Sequence, residues 1–390
     1  MKKQTQAIHV PFKRRDAYDA LSMPVYNTVA YEFDNAQIMA DAFTGRIDAP
    51  DYSRTENPTV SNFEERVKVL AGANDVFAVN SGMAAISNVM MALTAQGKNV
   101  VSSKHMFGNT YSLLTSTLKK FGVEVRMCNL TDAEETGRAV DENTACIFFE
   151  IITNPQMEVA DIQALAKIAH KKGTVLVADT TIIPFTQFSS KNLGVDIEIV
   201  SSTKYISGGA TSLGGLIIDY GTAKGFADTI RNEMIFNFGA YMTPQVAYMQ
   251  TLGLETLNAR YRVQSGNARE LAQRMTTLPR IKQVNYVGLK NNPYYTLSQR
   301  QFGKTAGAMV CIDLEDQDAC FRFLDRLKLI HRATNLFDNR TLAIHPYSTI
   351  FGLFTPEEKK EMDVLDTTVR LSIGLEDVDD LFEDIKQALE

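Results

Sequence analysis

Residues 175–204 read VLVADTTIIPFTQFSSKNLGVDIEIVSSTK, and two runs inside them, 175–178 and 197–200, have the composition of short buried β-strands. The first ends at Asp179 and the second at Ser201-Ser202-Thr203-Lys204. Outward from this stretch the same texture returns at 76–79, 100–102, 123–127 and 146–149, separated by helical spacing near 83–94, 108–120 and 161–172. Apolar strands alternating with helices predict an α/β fold whose central sheet is mostly parallel and carries helices on both faces. Ligands of such sheets collect beyond the carboxyl ends of the strands, so those ends are where chemistry is to be sought.

Residues 1–60 are polar, include the basic cluster Lys13-Arg14-Arg15 and show no firm helical or strand periodicity, which reads as an arm. At Ser61 the texture changes. Glu64 completes a capping-box pattern, and Phe63, Val67 and Leu70 then share one helical face up to Gly72. Beyond about residue 250 helices come first, at 252–275 and 316–327, with strands at 309–314 and 368–373. The last segment, 376–390, spaces Val378, Leu381 and Ile385 along one face of a closing helix. The expected organisation is an arm over 1–60, a principal α/β domain over 61–250 and a smaller C-terminal α+β domain over 251–390, in keeping with a 390-residue chain that exceeds what one core organises.

Composition removes several classes of function. Hydrophobic residues make up 45% and charged residues 22%, which is ordinary for a folded chain. Forty Lys+Arg against 46 Asp+Glu leave a net charge of −6, a weak basis for attraction to nucleic acid or to an anionic membrane. Cys128, Cys146, Cys311 and Cys320 lie far apart beside apolar neighbours and form no CxxC, so they read as buried thiols in a reducing compartment. The first 20 residues are basic without the apolar core of a signal peptide, and no run approaches a membrane span. The expectation is a cytoplasmic protein with neither a nucleic-acid nor a membrane partner. Five scattered histidines and no HExxH give a metal site little support.

Three strand ends hold candidate groups. Asn80-Ser81-Gly82-Met83 opens a helix after the run 76–79, so the N–H groups of Gly82 and Met83 would face an anion; a common strand-to-helix turn is the plainer alternative. Asp179 stands where an acid could also cap a helix. Lys204 follows two spaced hydroxyls and precedes Gly208-Gly209 and Gly214-Gly215, with few carboxylates around it in sequence. An apolar setting would lower its pKa toward the neutral nucleophile that Schiff-base chemistry needs, although a lone lysine is usually solvated. Gly209 through Gly214 has phosphate-loop spacing, but Gly215 stands where that loop needs lysine, which argues against a nucleoside-triphosphate site. In the last strand Arg370 alternates with Val369 and Leu371, so it is aimed off the apolar face and offers a planar fork to a carboxylate; a surface arginine is the alternative.

Taken in order, Tyr52-Ser53-Arg54, Asn57-Pro58-Thr59, Ser81-Gly82-Met83, Asn154-Pro155, Asp179, Ser201-Ser202-Thr203-Lys204-Tyr205 and the stretch from Arg370 to Asp377 span nearly the whole chain. This series resembles the Cys/Met-metabolism family of pyridoxal-phosphate enzymes, which includes cystathionine γ-synthase, cystathionine and methionine γ-lyases, and O-acetylhomoserine sulfhydrylase. The resemblance implies a type I aminotransferase-like fold and a pyridoxal 5'-phosphate cofactor joined to Lys204, which would also shuttle protons. Asp179 would lie against the pyridine nitrogen. The Ser81-Gly82-Met83 turn, the hydroxyls of Ser201 and Thr203, and Tyr52 and Arg54 from a neighbouring subunit would receive the phosphate. Asn154 would support the ring-hydroxyl side, Phe107 would stack on the ring, and Arg370 with Asn335 would hold the substrate carboxylate. A homo-oligomer, dimer or tetramer, with shared active sites is implied as well.

Two departures bear on activity. Phe107-Gly108-Asn109-Thr110 stands where the family usually has tyrosine, so the stacking surface stays and the phenolic hydroxyl is lost; Tyr111 could compensate or simply pack. Asn335 and residues 211–219 have the sulfhydrylase form, whereas Gly209 and Phe351 replace histidines expected of sulfhydrylases. The expected reaction is γ-replacement on O-acetyl-L-homoserine by sulfide or a small thiol, giving homocysteine or methionine plus acetate. A methionine or cystathionine γ-lyase and a cystathionine γ-synthase are the enzymatic alternatives. A cofactor-binding or sulfur-carrier-docking protein without turnover is the reading that Phe107 leaves open.

Overall fold

The computed structural model describes residues 1–10, 16 and 18–390; the cluster Lys13-Arg14-Arg15 lies outside the described residues. Strands β1 (Asp75–Val79), β2 (Asn99–Ser102), β3 (Glu124–Met127), β4 (Thr144–Glu150), β5 (Val175–Asp179), β6 (Ile197–Val200) and β7 (Gly215–Asp219) form one sheet in the order β1-β7-β6-β5-β4-β2-β3. From β3 to β6 every neighbouring pair is parallel, while β7 runs antiparallel between β6 and β1. The sequence reading has no counterpart for β7, because Gly214-Gly215 at its start reads as a turn. Glycine is required there by proximity: a Cβ on Gly215 would fall 2.1 Å from the Ser81 carbonyl oxygen.

The strands are apolar on both sides because both faces are covered. In β4, Ile147 and Phe149 enter one core, shared with Ile162, Leu165 and Ala169 of the helix Ile162–Lys171. Cys146 and Phe148 enter the other, shared with Ile86, Val89 and Met90 of the helix Gly82–Leu93. Each fully buried phenylalanine contributes on the order of 2–3 kcal/mol, so these alternating faces fix the register of the sheet.

A second sheet follows: β8 (Gln283–Asn285), β9 (Met309–Asp313), β10 (His331–Arg332), β11 (Leu342–Ile344) and β12 (Thr368–Ser372), in the order β10-β11-β12-β9-β8 and antiparallel except for β10 with β11. The 32-residue helix Pro244–Met275 crosses position 250 without interruption. Its Ala247, Leu254, Leu257 and Leu271 belong to one apolar cluster with Phe149 and Leu176 of the large sheet and Ile312 and Leu371 of the small one.

Two local expectations are corrected, and one alternative, a surface position for Arg370, is removed. The helix expected from Ser61 begins at Pro58, where Asn57 caps it by accepting from the Thr59 N–H at 3.0 Å. Proline at the first helical position is pre-set for that start, and Glu64 accepts instead from the Ala78 N–H of β1 at 2.7 Å. The arm holds two helices, Lys3–His9 and Ala36–Phe43, of 7 and 8 residues, too short for their periodicity to stand out. Arg370 is not aimed into solvent: all of β12 is buried and the arginine is 2% exposed. The four cysteines are free and buried. Among the described residues no helix is long and apolar enough to cross a membrane.

Candidate active site

Because β2, β4, β5 and β6 run parallel, their carboxyl ends share one edge, where Phe107, Glu150, Asp179 and Lys204 follow or close them. Beside them Ser81 is fully extended and accepts from the Ala84 N–H at 3.0 Å, capping the helix Gly82–Leu93. A capped start of this kind leaves the first helical N–H groups, those of Gly82 and Met83, free to meet an outside acceptor. Ser201 lies so close to this start that a Cβ on Gly82 would meet its Cβ at 2.7 Å. Helix N–H groups and a serine hydroxyl thus converge on one spot, a setting for an anion. The Thr203 hydroxyl is engaged by Gly214, donating to its carbonyl at 3.1 Å and accepting from its N–H at 3.0 Å.

Lys204 Nζ donates to Asn335 Oδ1 at 2.9 Å. Burial, and then the Arg370 cation, pull its pKa down from 10.5 to about 8, with Asp179 opposing. Roughly a tenth of the amine is therefore neutral at pH 7, against a few ten-thousandths for a solvated lysine. Asp179 is pushed upward by burial, against the pull of the Thr181 N–H, which its Oδ1 accepts at 2.9 Å, and of Lys204. Asn335 is held in turn by Asp338, to which its amide donates at 3.4 Å.

From β12, Arg370 donates through Nη1 to Asn154 Oδ1 at 3.0 Å and through Nη2 to the Thr334 carbonyl at 3.2 Å. Its Nε is buried without an acceptor, and burial lowers its pKa to about 10. A desolvated cation with N–H donors still unused, the Nε–H among them, fits an incoming carboxylate. The structure thus brings Asn154, Arg370, Asn335 and Lys204 into one chain of contacts. Tyr111, the possible substitute for the missing phenol, packs edge-on to Phe354 at 5.8 Å.

Tyr52 and Arg54 stand apart from this group. The Arg54 guanidinium lies 5.5 Å from the Tyr52 ring centroid and 5.4 Å from that of Phe236, and donates to the Phe236 carbonyl. None of their side-chain contacts among the described residues is with Lys204, Ser201 or Asp179. One residue was missed by sequence reading: Glu150, buried beside Asp179, accepts from the Phe107 N–H at 2.7 Å and the Asn154 N–H at 3.2 Å. The signal was available, since Glu150 closes an apolar strand just as Asp179 does.

Comparison with known proteins gives this geometry a context. The model of the Cys/Met metabolism PLP-dependent enzyme family matches residues 4–390. The chain is 36% identical over 367 residues to an O-succinylhomoserine sulfhydrylase of Pseudomonas aeruginosa, covering 94% of this chain and 90% of that one. It is 35% identical over 388 residues to an L-methionine gamma-lyase of Pseudomonas putida, covering 99% and 96%. A crystal structure from Campylobacter jejuni, provisionally named O-acetylhomoserine (thiol)-lyase, superposes with a TM-score of 0.95 at 33% identity over 100% of both chains and carries a pyridoxyl-lysine phosphate at its position 205. The anion cradle at Gly82 and Ser201, the softened Lys204 amine, the half-buried acid at Asp179 and the unpartnered Nε of Arg370 are the donors and acceptors such a group and an amino acid require. With the match running from one end of the chain to the other, this protein belongs to the Cys/Met metabolism family of enzymes, and its cofactor is pyridoxal phosphate.

Proposed function

We propose that the enzyme catalyses γ-replacement on O-acetyl-L-homoserine, exchanging acetate at Cγ for sulfide or a small thiol and releasing homocysteine or methionine. The observation that carries this reading is the contact of Asn335 Oδ1 with Lys204 Nζ at 2.9 Å, since asparagine at this position is the sulfhydrylase form. When bound, the cofactor supplies an electron sink for the carbanion left by proton removal.

The chain's own groups do the rest. Lys204 would hold the cofactor, and its amine would be the base for the α-proton and the carrier of a β-proton. Asp179 would keep the cofactor's pyridine nitrogen protonated. The N–H groups of the Ser81-Gly82-Met83 turn and the Ser201 hydroxyl receive the phosphate, joined by Tyr52 and Arg54 from a second copy of the chain. Thr203 joins them by turning its hydroxyl proton away from the Gly214 carbonyl. Phe107 would stack on the ring and Asn154 would support its hydroxyl side. Arg370 offers Nε to the substrate carboxylate, with the Asn335 amide beside it.

A γ-lyase reading has one observation in its favour. Phe351, where a sulfhydrylase histidine is expected, is fully buried in an apolar cluster with Met362 and Val364 and presents no polar group. Incubating the loaded enzyme with O-acetyl-L-homoserine, with and without sulfide, separates the two. Homocysteine and acetate formed only with sulfide is the expected result; 2-oxobutanoate and ammonia at the same rate in both samples would establish elimination instead. O-succinyl-L-homoserine in a parallel sample tests the acyl group, and the acetyl ester is expected to turn over faster.

A further inference from the structure

Glu150 sits where several parts of the site meet. It closes β4 on the same rung as Asp179 of β5, so in this parallel pair the two carboxylates leave the same face of the sheet. The residue is 9% exposed. One oxygen accepts the Phe107 N–H at 2.7 Å and the other the Asn154 N–H at 3.2 Å. Those N–H groups belong to different loops, one after β2 and one after β4. The contacts continue from Asn154 Oδ1 to Arg370, and so to the small sheet.

A packing role alone does not explain an acid here. Burial, and next the neighbouring Asp179, disfavour its charge and push its pKa up to about 8, while the two N–H groups pull the other way. A neutral side chain would remove that unfavourable term. What a carboxyl group provides is two oxygens on one rigid plane, each set against the N–H of a different loop, so that the two backbones are held at a fixed separation. A local rule broken in this way marks a functional demand.

We infer that Glu150 is a positioning residue that sets the Phe107 loop against the Asn154 loop and so fixes the tilt at which the cofactor ring would present its nitrogen to Asp179. The inference rests on the proposed placement of the ring, its face against Phe107 and its nitrogen at Asp179.

The test uses the cofactor-loaded protein and its Glu150→Gln and Glu150→Ala variants. Three quantities are read: the cofactor dissociation constant by equilibrium dialysis, the visible circular dichroism per mole of bound cofactor, and the site of borohydride-trapped label. In Glu150→Ala the dissociation constant is expected to rise about tenfold or more, the effect of losing the two hydrogen bonds that join the loops. The visible dichroism should fall by roughly half as the ring loses its fixed tilt. Glu150→Gln keeps one acceptor oxygen and turns an NH2 toward the other N–H, so it should lie between Ala and wild type. Label should stay on Lys204 throughout. Should the alanine variant fail to fold, the glutamine variant decides alone. Wild-type dichroism and affinity in the variants, with only the thermal midpoint of the empty protein lowered, would overturn the positioning role. Label on another lysine in the wild-type protein is a separate failure, which removes the assignment of the site itself.

Discussion

Arg370 carries five N–H donors: one on Nη1 goes to Asn154, one on Nη2 to Thr334, and the Nε–H is buried without an acceptor. A bidentate charge-assisted grip on a carboxylate is worth roughly 1.5–3 kcal/mol, so Arg370→Ala should weaken amino acid binding ten- to a hundredfold or more while cofactor binding survives. Unchanged affinity by spectral titration would place the carboxylate elsewhere. Glu64 allows a second prediction at this scale. Burial raises its pKa from 4.5 to about 7, against the Ala78 N–H that it accepts. A carboxyl that holds its proton more tightly when folded destabilises the fold progressively as pH rises from about 4.5, and the loss levels off above about 7. Glu64→Gln keeps the acceptor and removes the titration. The variant should therefore lose less stability than wild type between pH 5 and 8, by roughly 1–3 kcal/mol in urea titrations. Parallel pH profiles for the two proteins would show that Glu64 ionises normally.

Single elements were legible in proportion to how far their signal is local. The strands with apolar runs and the long helices announce themselves, and so does the Ser-x-Thr-Lys strand end, because each is decided by neighbouring residues. β7 was hidden since its pairing with β1 and β6 is a long-range fact and its leading glycines look like a turn. Ser61 misled for a related reason: a capping box can be written inside a helix whose true start is set by Asn57 and Pro58. The role of Glu150 depends on N–H groups from two loops, one of them 43 positions distant, which no spacing rule reports. Asn57 is the element-scale test. Besides capping its helix, its amide donates at 2.9 Å to the Tyr26 carbonyl and to Ser53 Oγ, tying down the loop that holds Tyr52 and Arg54. Loss of a cap alone costs about 0.5–2 kcal/mol. Asn57→Ala should exceed that and also weaken cofactor binding. A variant that loses stability yet binds cofactor like wild type would confine Asn57 to capping.

For the molecule as a whole, the engagement of Arg54 by Tyr52 and Phe236 makes subunit sharing the next question. Arg54→Ala and Lys204→Ala proteins, each nearly inactive, can be unfolded and refolded as a mixture. About half the dimers should be hybrids, each with one intact site and one doubly defective site, so activity should return to roughly a quarter of wild type. No recovery would mean that both residues serve the same chain's site. The helix Pro244–Met275 has a different consequence. At about 1.5 Å per residue it is a beam nearly 50 Å long, and the two sheets share one apolar cluster along it. Neither sheet can lose its packing without exposing the beam's other side, so heat should melt the chain in a single endotherm, and a fragment cut after the beam should aggregate rather than stand as half a protein.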